Sequence, residues 1–147
     1  MWLVMRAGTH APDPDGGTTL AACPDTPGRP VPWRWAVRLS PGREGTTTGV
    51  EVSHDPASVV VGRTDHRGED LLFERDGGVM LVAVAVSGQY LVAHGTGPWQ
   101  RLLAPGDVAV LEGDESELVL LTASTPDAEL CLVELASTTG QPLRWVP

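Results

Sequence analysis

From Trp33 onward the chain is cut into short apolar runs by Gly, Pro, Asp and Ser, and this punctuation leaves little room for helices of several turns. "WRWAVRLS" (33–40) alternates, with Trp33, Trp35, Val37 and Leu39 on one face and Arg34, Ala36 and Arg38 on the other. A period of two marks a half-buried strand, because successive side chains of a strand point to opposite faces. "GVEVS" (49–53) and "SVVVGR" (58–63) are shorter strands, parted by the turn signal "HDP". "VMLVAVAV" (79–86) is apolar throughout and rich in valine, as expected of a strand buried on both faces. Ser87-Gly88 then reads as a hairpin turn into "GQYLVAHG" (88–95).

Further on, "RLLAPGDVAVLEG" reads as strand, tight turn, strand, and "ELVLLTAS" and "AELCLVELAS" close the set across "TPD". Only "GEDLLFERD" (68–76) has helical character, and it is short. Residues 11–32 hold Pro12, Pro14, Pro24, Pro27, Pro30 and Pro32, which rules out a long helix there and reads as an irregular arm. Many short strands with turn signals between them predict one all-β, antiparallel barrel or sandwich over residues 1–147.

Composition narrows the function. A formal net charge of −9 disfavours a nucleic-acid surface, which needs clustered cations, and disfavours a polybasic membrane contact. Every basic residue is arginine, so Schiff-base and P-loop chemistry are excluded for want of a lysine. Asparagine and isoleucine are missing too, a pattern expected of a GC-rich bacterial genome. Cys23 and Cys131 form no CxxC pair and read as two buried thiols, the alternative being a disulfide between the chain ends. No signal peptide or apolar membrane span is evident, so a cytoplasmic location is expected.

Residues able to carry chemistry are few. A cupin metal site needs a His-x-His pair, a glutamate and a fourth ligand, and no His-x-His occurs here. His66, Glu69 and Asp70 in "DHRGED" could mimic a fragment of one but read better as a solvated loop, so neither metal nor cofactor is expected. Tyr90 and His94 share a strand face with Val92. Inside a barrel they would form an acid/base pair, and the alternative is a hydrogen-bonded histidine at a strand end. No G-x-S-x-G elbow is present. Trp33, Trp35 and Trp99 read as core or pocket wall, with an indole N–H to offer a ligand. Arg34, Arg38 and Arg101 could grip a carboxylate bidentately or simply cover the surface. In "APGDVAVLEGDESEL", Asp107 reads as a turn residue bonding nearby amides and Glu117 as a surface carboxylate.

The order of "DPDGGTTLAAC" (13–23), "PWRWAVRLS" (32–40), the apolar stretch 79–95 and "LAPGDVAVLEGDESELVLL" resembles the HutD/Ves family. Gly16, Gly17 and Thr18 or Thr19 match the glycine-threonine core of that family's opening motif, Trp35 its aromatic strand, Gly88 the end of its leucine-rich strand, and Gly113-Asp114 its final pair. The opening tryptophan and asparagine, and an arginine before the leucine-rich strand, are not matched. The resemblance implies a cupin-like β-barrel without a metal triad, binding a small, carboxylate or apolar, metabolite in a regulatory or accessory role. Gly16, Gly17 and Thr18 would belong to its ligand site. The alternative is a metal-independent isomerase, cyclase or lyase of specialised metabolism. Pairing through an exposed edge strand would give a homodimer.

Overall fold

The computed structural model describes residues 2–5, 18–22, 35–41, 47–97, 100–140 and 143. Among them every regular element is a strand: β1 (Trp2–Met5), β2 (Thr18–Ala22), β3 (Trp35–Pro41), β4 (Thr47–His54), β5 (Val59–Arg67), β6 (Leu71–Arg75), β7 (Met80–Ser87), β8 (Tyr90–His94), β9 (Gln100–Leu103), β10 (Val108–Leu111), β11 (Glu117–Ala123) and β12 (Glu129–Ser137). They form a five-stranded sheet ordered β1-β10-β7-β12-β5, a four-stranded sheet ordered β6-β11-β8-β9 and a three-stranded sheet ordered β2-β3-β4. All pairings are antiparallel and no sheet closes on itself. Within the described residues, no helix is long and apolar enough to cross a membrane.

The five-stranded sheet is the middle layer. Along β7, Met80, Val82 and Val84 pack with Trp35, Val37 and Leu39 of the three-stranded sheet. The alternate residues Leu81, Ala83 and Ala85 pack with Tyr90, Val92, Val119 and Leu121 of the four-stranded sheet. This double burial is why "MLVAVAV" shows no alternation: a strand between two cores cannot carry a polar face. Strand β3 is covered on one side only, and there the alternation is kept, with Trp35, Val37 and Leu39 buried and the residues between them half-exposed.

Four expected turns join sheets instead of neighbours, the first being "HDP", between β4 in the three-stranded sheet and β5 in the middle sheet. Ser87-Gly88 leads from β7 in the middle sheet to β8 in the four-stranded sheet, so it makes no hairpin. The Pro-Gly turn after β9 and the turn at "TPD" cross between the same two sheets. The stretch with helical character holds a strand: β6 pairs with β11 from Arg75 opposite Glu117 to Leu71 opposite Leu121. Pairing on β11 and burial of one face of "LLFER" outweigh its weak local helix preference. Asp107 acts as the sequence suggests, its carboxylate accepting the Ala104 amide at 2.9 Å.

Candidate functional site

Three strands of the four-stranded sheet follow one design. On their inward faces β6 places Leu71, Phe73 and then Arg75; β8 places Tyr90, Val92 and then His94; β11, running the other way, starts at Glu117 before Val119 and Leu121. Each inward row is apolar until the last residue at the same end of the sandwich. Cross-strand pairing sets Arg75 opposite Glu117, and His94 opposite Val119, one register step away. Antiparallel register therefore gathers a guanidinium, a carboxylate and an imidazole at one rim.

Arg75 is 2% exposed and almost wholly committed. Its Nε donates to Glu117 Oε1 at 2.8 Å. Nη1 reaches the carbonyls of Val79 at 2.7 Å, Gly113 at 3.1 Å and Asp76 at 3.3 Å, and Nη2 that of Glu115 at 2.8 Å. A buried guanidinium is tolerable only with partners of this kind, and here they pin the turns 76–79 and 112–116 together. Glu117, expected at the surface, is instead the half-buried partner of that cation, its side chain 14% exposed. Its other oxygen, Oε2, lies 3.4 Å from His94 Nε2. The Thr96 amide donates to His94 Nδ1 at 3.3 Å, and an amide can only donate. Nδ1 is thus the acceptor, and the neutral ring carries its proton on Nε2, facing Glu117.

These residues floor an open cleft of about 600 Å³. Glu74, Asp114, Glu115 and Glu117 line it against the single guanidinium of Arg75, so its field is negative. A second cleft of about 370 Å³ lies beside β5. Its charges pair among themselves, Arg63 with Asp65 at 3.5 Å and Arg67 with Glu129 at 3.7 Å.

The other expected site residues are dispersed. Tyr90 sits at the far end of β8 from His94, roughly 13 Å away at strand rise, so the two are no acid/base pair. Its hydroxyl donates to the Glu69 carbonyl at 3.1 Å, and burial raises its pKa above the ordinary tyrosine value. Arg38, on β3, faces Glu51 at 3.6 Å across the three-stranded sheet. Arg101, on β9, donates to the Gln100 carbonyl at 3.2 Å. Their strands lie in the two outer layers, about 20 Å apart, so they cannot grip one carboxylate. Trp35 is buried between sheets, and its indole N–H is the one buried side-chain polar atom among the described residues without a partner. Thr18 pairs through its backbone with Leu39. Gly16, Gly17, Trp33, Arg34 and Trp99 lie outside the described residues.

In "DHRGED", His66 contacts Glu69 at 3.1 Å and the Thr64 hydroxyl at 3.0 Å, while Asp70 accepts the Ala123 amide at 3.1 Å. Among the described residues no cluster of three His, Cys, Asp or Glu side chains could hold a metal ion. The site's two central members, Arg75 and Glu117, escaped the sequence reading. Neither strand alternates in sequence, because Leu72, Leu118 and Leu120 keep the outward faces apolar too, and register alone brings the two charges together. Compared with known proteins, the chain matches no family model and no curated sequence.

Proposed function

We propose that β5 to β12 form a cupin-like jelly roll that binds a small molecule at its rim, without a catalytic metal, in a regulatory or accessory role. The connectivity supports this fold. Successive strands alternate between two sheets, apart from the β8–β9 hairpin, and give the orders β10-β7-β12-β5 and β6-β11-β8-β9, as two nested Greek keys would. The HutD/Ves reading rests on motif order alone.

One observation carries the binding reading: the Arg75–Glu117–His94 chain at the floor of the acidic cleft. The interior between the sheets is filled, with Leu81, Ala83, Val92, Leu121 and Leu132 all at 1% exposure or less, so the ligand's place is the rim. Four carboxylates around the cleft favour a ligand bearing an amine or another cationic N–H donor over a carboxylate. Thermal-shift titration with a panel of small amines and small dicarboxylates tests this. The expected result is stabilisation by an amine, reduced in Glu74→Gln, whose exposed side chain the fold does not need. No shift with any amine, or a preference for dicarboxylates, would overturn it.

The tautomer of His94 supports a second reading, in which the His94–Glu117 pair transfers a proton to or from a bound substrate. Loss of turnover in His94→Gln with binding retained would favour that reading over simple binding.

A further inference from the structure

The four-stranded sheet is apolar on both faces, and among the described residues only one is covered. Facing inward, Val119 and Leu121 of β11 are buried against the middle sheet. Facing outward, Leu118 and Leu120 are 38% and 41% exposed, with Leu72 of β6 at 64% and Leu102 of β9 at 49%. Register makes these one patch. Leu72, Leu120 and Ala93 stand in a row across three strands, and Leu91 stands beside Leu102 in the next row but one. The run "LVLL" in β11 carries the same unbroken apolar code as β7. In β7 two covering layers explain that code; among the described residues β11 has one. A soluble surface rarely keeps a contiguous apolar face of this kind bare unless something docks there.

We propose that the missing layer is a second copy of this chain, docked face to face through the outer side of the four-stranded sheet. Charge selects this occupant. The chain carries a net charge of −9, yet among the outward positions of these four strands Glu74 is the one ionisable residue. A partner chosen by charge finds almost nothing to pair with on this face, whereas the face meets its own copy with no like charges opposed at its centre. A two-fold axis along the strands lays β6 of one copy over β9 of the other and keeps the two Glu74 side chains at opposite edges. This isologous packing has the geometry of aligned sheets. Area sets the strength. One face of four short strands is smaller than a standard interface, so the dimer is weak, with a dissociation constant on the order of micromolar. The mode differs from edge-strand pairing, since no backbone hydrogen bonds cross the interface.

Sedimentation velocity of the full chain, from low to high micromolar concentration, tests the proposal. A monomer–dimer equilibrium is expected, and added salt strengthens it by screening the repulsion between two acidic chains. Leu72→Glu and Leu102→Glu alter exposed side chains on edge strands, and each should shift dimerisation at least tenfold toward monomer with an unchanged circular-dichroism spectrum. Leu120→Glu, at the centre of the patch, should abolish it. A monomer at every concentration would overturn the proposal, as would a dimer indifferent to all three substitutions, which would indicate another surface. Binding of the monomeric chain to phosphatidylcholine vesicles, lost in Leu120→Glu, would assign the face to lipid and overturn it as well.

Discussion

Arg75 is the residue on which the rim depends. Its guanidinium joins the end of β6 to the start of β11 and to carbonyls of two turns, all from a position closed to water. Arg75→Leu leaves Glu117 without its cation and several carbonyls without donors. A loss of about 3–5 kcal/mol is expected in urea denaturation, as when one member of a buried ion pair is removed. Cys131 illustrates the opposite case, a titratable group that gains nothing from its charge. Burial pushes its thiol from 9.0 up to about 12. Above pH 9 the unfolded chain releases this proton while the folded chain keeps it until about pH 12, so the unfolded state then binds fewer protons. The stabilisation is complete below pH 9 and declines as pH rises toward 12, with Tyr90 contributing in the same direction. Denaturation measured across that range should show the decline, and Cys131→Ala should flatten part of it.

At the scale of elements, the crossings between sheets set the tolerances. Gly88, at φ +63°, turns the chain from β7 to β8. A Cβ there would lie 2.4 Å from Thr125 Oγ1 and 2.7 Å from Ala128 Cα, in the neighbouring crossing from β11 to β12. Gly78, at φ +83°, has open space where a Cβ would go. Gly78→Ala should therefore cost only the left-handed strain, about 1–2 kcal/mol. Gly88→Ala adds a clash with backbone and should cost clearly more in the same thermal-melt comparison.

These crossings also mark the limit of what local sequence conveys. Apart from β6, the strands from Trp35 to Ser137 could be read from alternation and turn residues, and the double burial of β7 from its missing polar face. Partner choice could not, because a Ser-Gly or Pro-Gly turn looks the same in a hairpin and in a crossing between sheets. For the site, His94 was visible as a histidine at a strand end. Its partner Glu117 was not, since "GDESEL" reads as an acidic loop until register with β6 brings Arg75 beside it. Tyr90 and His94 share a face, as period two requires, but the three strand residues between them keep them apart.

On the scale of the whole molecule, most neighbours in space are strangers in sequence. β12 lies between β5 and β7, β11 between β6 and β8, and Trp2 of β1 stands opposite Leu111 of β10. Among the described strands, only β2–β3, β3–β4 and β8–β9 pair between strands adjacent in the chain. Long loops must therefore close before most sheet hydrogen bonds reward the closure, and refolding in stopped-flow fluorescence should take milliseconds to seconds, as in other β-sandwiches. The three-stranded sheet, built from successive strands, can assemble early. The middle sheet must wait, since β7 gains its second neighbour only when β12 arrives. During synthesis the strand meant for the centre leaves the ribosome with the cover for one face already made, while the strands that cover its other face and pair with both its edges have yet to follow.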